Sequence, residues 1–143
     1  MMYKITLDTN VILAGYFWKG DSSEILLYLI PDSVEWAISP YIIDECKRVM
    51  TRQPFRLKLE KQGRTLDDIV QDIKTKSSLI VPTQVVPVVA RDSTDDHIVA
   101  CAYESLSDYL VSFDNDLLDI KQYKSIPIVS PATFLVAYRK TNI

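Results

Sequence analysis

Histidine is almost absent from this sequence, since His97 is the only one among 143 residues. A single imidazole excludes a nuclease that uses two histidines, and it excludes an HExxH zinc site. No G-x-S-x-G elbow is present, which excludes a Ser-His-Asp site built on that motif. His97 follows Asp96 in a helical pattern and is predicted to be a solvated helix residue. Any demanding chemistry is therefore left to carboxylates and a metal ion.

Cysteine and long apolar runs are scarce as well. Cys46 and Cys101 are isolated within helical patterns, which excludes a disulfide framework and a zinc site and predicts buried thiols in a reducing cytoplasm. No apolar run approaches the roughly 20 residues that a membrane span needs. Because the chain opens directly on strand-like residues 3–7, we expect no secretion signal. Together these features predict a cytoplasmic protein without membrane contact.

The residues that are present are those of a globular protein, 48% hydrophobic and 24% charged. The length fits one domain over residues 1–143. Short apolar strands alternate with helices, which predicts an α/β fold with a mainly parallel sheet. The predicted strands are 3–7, 34–38, 79–81, 85–89, 109–113 and 126–129. Helices are predicted over residues 10–17, 23–30 and 95–106, and two more lie within 54–77, where Thr65 is a cap. Ser39-Pro40 starts another helix, and Ser130-Pro131 starts the last one, which runs through Tyr138. A single helical turn is predicted to follow Asp114.

Four acidic residues stand where a carboxylate is out of place unless a cation binds nearby. Asp8 closes the first strand, and Asp114 follows the continuously apolar strand 109–113. Glu45 interrupts the apolar stripe of a helix, and Asp95 opens another helix. Ligands bind beyond the carboxyl ends of parallel strands, so Asp8 and Asp114 are expected to meet if their strands are neighbours. Hard oxygen ligands at such an edge predict Mg²⁺-type chemistry on phosphates.

Each carboxylate also has a structural interpretation. Asp8 is equally suited to cap the helix that follows it, and Glu45 to lie at the edge of its helix and reach solvent. Ser93 as an N-cap would place Asp96 in a near capping box, leaving Asp95 for another role. Four carboxylates in one pocket would nevertheless repel, by about 4 kcal/mol for a pair ~4 Å apart at an effective dielectric of ~20. They would require bound cations or raised pKa values.

Asp116 is the less certain member of the group after the late strand, because Asn115 and Asp116 can both cap the short turn that follows.

The net charge of −3 conceals an uneven distribution. Residues 47–76 hold nine basic and four acidic residues, a net charge of +5, whereas the rest of the chain carries −8. A basic arm beside an acidic pocket suits a phosphodiester backbone better than a neutral metabolite. A solvated helix face is the alternative interpretation. Arg48, Arg52 and Arg56 are the cations expected to position such a backbone.

Five segments share their order and spacing with a known family. They are Leu7-Asp8-Thr9-Asn10-Val11, Tyr41-Ile42-Ile43-Asp44-Glu45, Asp95 with Ile98 and Ala100, residues 109–118, and residues 127–135. Along nearly its whole length the chain resembles the PIN-domain family, and within it the VapC-type ribonuclease toxins of prokaryotic toxin–antitoxin pairs. It departs from the family at Phe113, where glycine commonly follows the small hydroxyl residue that is Ser112 here.

The resemblance implies a PIN-like three-layer α/β/α sandwich, a Mg²⁺ or Mn²⁺ site, and endonucleolytic cleavage of RNA. The implied metal ligands are Asp8, Glu45, Asp95, Asp114 and Asp116, and the adjacent Asp96 leaves open which residue of that pair is a ligand. Thr9, Asn10 and Ser112 are expected to orient water or phosphate.

The resemblance also implies partners: an RNA substrate, a cognate antitoxin and a second copy of the chain in a homodimer. An antitoxin is expected against the early helices, at residues 11–13 or 25–28, unless these residues are core.

Two other functions compete with this one. A catalytically weak PIN-like module that binds protein or RNA would show no carboxylate-dependent Mn²⁺ binding. A phosphotransfer domain with Asp8 as nucleophile is disfavoured, because a haloacid-dehalogenase-type site needs a second Asp two residues on, where Asn10 stands.

Overall fold

A six-stranded sheet forms the centre of the computed structural model, which describes residues 2–88 and 93–141. The strands are β1 (Tyr3–Leu7), β2 (Val34–Ile38), β3 (Ser77–Leu79), β4 (Tyr109–Val111), β5 (Gln122–Tyr123) and β6 (Ile126–Val129). Their order is β3-β2-β1-β4-β6-β5, and every pair is parallel except β5 with β6. The predicted α/β fold with a mainly parallel sheet is confirmed.

Helices flank this sheet in the predicted α/β/α arrangement. They are α1 (Thr9–Phe17), α2 (Asp21–Glu24), α3 (Ile30–Asp32), α4 (Pro40–Met50), α5 (Phe55–Gln62), α6 (Leu66–Lys76), α7 (Ser93–Glu104), α8 (Asn115–Leu118) and α9 (Pro131–Thr141). A π-helical turn, Ile25–Leu29, joins α2 to α3. No helix in the described part of the chain is long and apolar enough to cross a membrane.

The central strands are buried because helices pack against both faces of the sheet. Ile5, Leu7, Leu110 and Val111 are almost fully buried, as is Trp36 on β2. This two-sided burial explains why the β4 segment shows no alternation of polar and apolar residues. Each such side chain contributes about 1.5–3 kcal/mol on transfer from water, so the strands that carry the site are among the most firmly held parts of the fold.

The register of β1 on β4 determines where the site forms. Leu7 pairs with Val111 at the carboxyl ends of the two strands, and the N–H of Asp8 donates to the Val111 carbonyl at 2.9 Å. On the other side of β4, the N–H of Ser112 donates to the Val129 carbonyl at 2.9 Å. Asp8 and Ser112 therefore leave the sheet side by side.

Three predictions of strands and helix starts are corrected. The third strand is Ser77–Leu79, earlier than predicted, and residues 85–88 form no strand; Val89, the end of that predicted strand, lies outside the described residues. The loop before this segment is held by Glu104, whose carboxylate accepts from the backbone N–H groups of Thr83 and Gln84. Ser93 is the first residue of α7 and not a residue preceding it.

The short helix α8 is capped differently from the prediction. Asp114 is its N-cap, and Asn115 and Asp116 belong to the helix. The prediction that one of these two residues caps the turn was therefore wrong by one residue. The short strand β5 was not predicted from the sequence.

Candidate functional site

The centre of the candidate site is a short chain of hydrogen bonds that links two carboxylates. The Ser112 hydroxyl donates to Asp8 Oδ2 at 2.6 Å and accepts from the backbone N–H of Asp114 at 2.9 Å. Ser112 is fully buried and sits directly after β4. The strand register thus fixes the hydroxyl, and the hydroxyl in turn orients Asp8 beside the Asp114 backbone.

Asp8 is a buried acid, with only 5% of its surface exposed. Burial raises the pKa of Asp8 above its usual value, and the nearby charge of Asp114 acts in the same direction. The hydrogen bond from Ser112 and the backbone amides of Asn10 and Thr9 lower this pKa in part. A carboxylate whose charged form is disfavoured by burial and by a like charge gains most from a bound cation.

Asp8 does not use its side chain as a helix cap. It occupies the N-cap position of α1 with an extended backbone, but its carboxylate makes no capping hydrogen bond. The next residue, Thr9, is buried, and its Oγ1 has no hydrogen-bond partner within the described chain. Asn10 is exposed on the first turn. A buried hydroxyl without a partner beside Asp8 is a group that a ligand oxygen can satisfy.

Asp114 and Asp116 differ in their roles. Asp114 Oδ1 accepts from the N–H of Asp116 at 2.9 Å, which starts α8. Both residues are half-buried. One oxygen of Asp114 is thus used to cap α8, while its charge is close enough to Asp8 to affect the pKa of that residue.

Glu45 lies on α4, which begins at Pro40 after the N-cap Ser39. Its side chain is only 15% exposed, so it is turned away from bulk solvent, and Oε2 forms an ion pair with Arg48 Nη2 one turn later. Burial raises the pKa of the neighbouring Cys46 to about 12, with a smaller contribution from the charge of Asp8. The influence of Asp8 on Cys46 places α4 beside the carboxylates.

The two predicted acids of α7, Asp95 and Asp96, are both buried near its N-terminus. Asp96 Oδ1 accepts from the N–H of Val88 at 2.7 Å, so this residue anchors the segment that precedes the helix. His97 is half-buried and stacks on Tyr41 of α4 with ring centroids 3.7 Å apart. The prediction that His97 is a solvated residue was therefore wrong, because its ring joins α7 to α4.

The structure brings Asp8 and Asp114 together, and it places Glu45 and Asp95 on the adjacent helices α4 and α7. Within residues 2–88 and 93–141, no group of three or more His, Cys, Asp and Glu side chains has a geometry that would hold a metal ion. Mg²⁺ commonly uses only one or two carboxylates and completes its shell with waters and substrate phosphates. The Asp8–Asp114 pair fits that requirement.

The predicted cations occupy different positions. Arg48 pairs with Glu45 at the edge of the site, whereas Arg52 and Arg56 are exposed beyond the end of α4. The sequence patterns did not indicate Trp18, which lies eight residues after Asn10 and is exposed at the end of α1. The helical spacing from Asn10 is the signal that would have identified it.

Comparisons with known proteins identify the family and the fold. Residues 4–116 match the family described as PIN domain. The fold is similar to that of VapBC2 from Rickettsia felis, solved bound to a DNA fragment from their promoter, with a TM-score of 0.55, 13% identity, and coverage of 87% of this chain and 96% of that one. It is also similar to FitAcB from Neisseria gonorrhoeae, with a TM-score of 0.58, 15% identity, and coverage of 90% and 98%.

No curated protein sequence matches the chain significantly. The family match nevertheless extends over most of the chain and includes the ends of both strands that carry the carboxylates. PIN domains are generally nucleases. The chain belongs to the PIN-domain family.

Proposed function

We propose that this protein is a cytoplasmic Mg²⁺- or Mn²⁺-dependent endoribonuclease and the toxin component of a toxin–antitoxin pair. The observation that carries the proposal is the buried Asp8 carboxylate beside Asp114, at the edge of a parallel sheet where ligands bind. Membership of a family whose members are generally nucleases supports it. The two free, buried cysteines support a reducing compartment.

The roles of the side chains follow from their placement. Asp8 and Asp114 would hold the divalent ion, with Glu45 and Asp95 as further ligands from α4 and α7. A divalent ion bound there supplies an acidified water and neutralises charge on the phosphate. Ser112 orients Asp8 through its hydrogen bond, and the buried, unpartnered hydroxyl of the next residue, Thr9, would donate to a phosphate or water oxygen.

The remaining predicted residues act at the rim of the site. Asn10 is exposed on the first turn of α1 and would contact the phosphate directly. Asp116 lies on α8 two residues after Asp114 and would act through water. Asp96 supports the start of α7 by accepting from Val88. Arg52 and Arg56 would bind the RNA backbone without reading its sequence.

An antitoxin partner is supported by the likeness to VapBC2 and FitAcB. Of the two predicted contact stretches, residues 11–13 are core and are excluded as a surface. Leu27 and Tyr28 are exposed and line a groove of about 640 Å³ together with Tyr16 and Phe17. We place an apolar segment of the antitoxin in this groove. A homodimer stays a prediction of the family resemblance.

RNA cleavage by matched variants tests the proposal. Asp8→Asn and Asp114→Asn are expected to reduce Mg²⁺-dependent cleavage of a defined RNA panel by about 100-fold or more, because each removes a charge that the reaction needs. Asp32→Asn makes the same change just before β2, at the opposite end of the strands from the site, and this variant should cleave RNA like the wild type. Cleavage by Asp8→Asn at the wild-type rate, or full wild-type activity in EDTA, would contradict the assignment.

The alternative function is a catalytically weak PIN-like module that binds protein or RNA. The same assay separates the two functions when RNA binding is measured alongside cleavage. A module would bind the panel and cleave none of it under any divalent ion, and its binding would not depend on Asp8 or Asp114.

A further inference from the structure

One face of α1 connects the candidate site to an exposed aromatic residue. Asn10, Ala14 and Trp18 are the positions from Asn10 to Trp18 that are not buried. Their spacing of four residues places them in line on the helix surface, and at 1.5 Å per residue the row is about 12 Å long. The row begins beside Asp8 and ends on the Trp18 ring.

A pocket of about 180 Å³ lies at the end of this row, between Trp18 and Phe113. The two aromatic side chains are 45% and 49% exposed, and Ala14 contributes to the lining between them. Phe113 stands between Ser112 and Asp114, so one wall of the pocket is a direct neighbour of the candidate site. An apolar cavity of ~150 Å³ holds a benzene molecule, so this pocket has room for one planar ring.

The Trp18 ring is held in place and carries a cation. Phe55 meets it edge-on, with ring centroids 5.7 Å apart and planes at 82°, and Lys58 Nζ lies 4.6 Å from the ring centroid. Lys19 lines the pocket beside it. An aromatic face next to ammonium groups is the combination that single-stranded nucleic acids use, with the base on the ring and the phosphate on the cation.

The polar side of the pocket contains a buried group that lacks a partner. Ser22 is only 6% exposed, and its Oγ has no hydrogen-bond partner within the described residues. Asp21, the neighbouring residue, also lines the pocket. α1 and α2 pack closely here because Gly15 has no side chain; a Cβ at that position would lie 3.1 Å from the Ser22 carbonyl oxygen. Ser22 lines the pocket, although its Oγ itself has almost no accessible surface.

We propose that the pocket between Trp18 and Phe113 binds one unstacked nucleobase of a single-stranded RNA whose backbone crosses the carboxylates. The proposal rests on the proposed ribonuclease function and adds a base-binding pocket beside its carboxylates. The base lies between the two aromatic side chains, and the Asp21 carboxylate contacts its edge. A carboxylate accepts from an exocyclic amino group such as cytosine N4, which makes cytosine a suitable base. Duplex RNA keeps its bases stacked and paired and cannot supply one.

Tryptophan fluorescence reports this contact directly, since Trp18 is exposed and Trp36, the other tryptophan, is fully buried. Octacytidine is titrated into the full-length Asp8→Asn protein, in which cleavage is suppressed and one repulsive charge is removed. We expect saturable quenching, and none from an abasic octamer of equal charge. Trp18→Phe measures the contribution of Trp36, which should not change.

Anisotropy of labelled octacytidine measures the affinity independently of the tryptophans. Trp18→Leu and Phe113→Leu should each raise the Kd about tenfold, as expected for the loss of one stacking contact. Tyr28→Leu changes a more exposed aromatic residue that lines the adjacent groove and not this pocket, and it should leave the Kd unchanged. Circular dichroism of each variant confirms that it is folded.

The possible outcomes separate this proposal from the ribonuclease assignment. The base pocket would be overturned if octacytidine did not quench the Trp18 fluorescence, or if only an apolar peptide did. It would also be overturned if Tyr28→Leu and Trp18→Leu lost the same affinity for octacytidine. If RNA is cleaved in a manner that depends on Asp8 but Trp18 is not quenched, the ribonuclease stands and the pocket fails. If Trp18 is quenched but the wild type cleaves no RNA with Mg²⁺, the pocket stands as a binding site and the ribonuclease fails.

Discussion

The properties of Asp8 depend on the strand that precedes it and on the residue beside it. β1 ends at Leu7 within the core, so the carboxylate of the next residue, Asp8, is buried as well. Its strong hydrogen bond comes from Ser112, which lies on the neighbouring strand end and is remote in sequence. A residue that looks like an ordinary helix cap in the sequence therefore has a raised pKa, and its carboxylate makes no capping hydrogen bond.

This environment predicts how stability depends on pH. Burial raises the pKa of Asp8 above its ordinary value of 3.8. At pH values between that ordinary pKa and the pKa in the folded state, the folded protein therefore binds more protons than the unfolded chain. The free energy of unfolding then falls as the pH rises from about 3.8 through the folded pKa. Asp8→Asn lacks this loss and should be more stable than the wild type at pH 7, with a difference that shrinks toward pH 3.

Urea unfolding at a series of pH values measures this difference, with Asp32→Asn as the control for loss of an exposed carboxylate. An Asp8→Asn protein that is less stable than the wild type at pH 7, with an unchanged pH dependence, would show that the Asp8 charge is already compensated within the protein.

Secondary structure was predictable where local chemistry determines it. Ser39-Pro40 starts α4 and Thr65 starts α6, as their capping side chains indicated. Predictions failed where distant contacts decide the outcome. Residues 85–88 have strand-like side chains, but Pro82 and Pro87 remove backbone donors, and Glu104 holds the preceding loop away from the sheet.

The site was predictable in part for the same reason. The sequence indicated that Asp8 and Asp114 would meet if their strands were neighbours, and the order of β1 and β4 confirms that they are. The stacking of His97 on Tyr41 depends on how α4 and α7 pack, which no local pattern encodes. The pocket beside Phe113 likewise needs three elements to come together.

The capping box of α6 permits a test of one element alone. Thr65 Oγ1 accepts from the N–H of Asp68, and Asp68 Oδ2 accepts from the N–H of Thr65. Thr65→Ala should lower the free energy of unfolding by about 1 kcal/mol without changing RNA cleavage. Thr75→Ala, at an exposed position within the same helix, is the control and should not lower the free energy of unfolding, because alanine is the better helix former. A neutral Thr65→Ala measured by urea unfolding would show that α6 is held by packing and not by its cap.

At the scale of the whole molecule, charge is divided between two regions. The net +5 of residues 47–76 lies on α4, α5 and α6, and the remaining chain, which contains the carboxylate site, carries −8. A long-range field of this kind guides a polyanion toward the basic helices. Local positive charge at the site itself must then come from a bound cation.

This division predicts a salt effect that is independent of RNA sequence. The double variant Arg52→Gln/Arg56→Gln should weaken RNA binding similarly for all sequences and reduce the slope of log K against log salt by about 1.4, since each phosphate contact to a single strand contributes ~0.7. Fluorescence anisotropy at several salt concentrations measures this slope. An unchanged slope would place the RNA backbone elsewhere on the surface.

The proposed site requires Asp8 and Asp114 to share one divalent ion. Calorimetric titration of Mn²⁺ into the wild type, Asp8→Asn, Asp114→Asn and the control Asp32→Asn measures this without any RNA. We predict that the wild type and Asp32→Asn bind Mn²⁺ with the same affinity and that both site variants lose this binding. Equal binding of Mn²⁺ by all four proteins, or no binding by the wild type, would contradict the account.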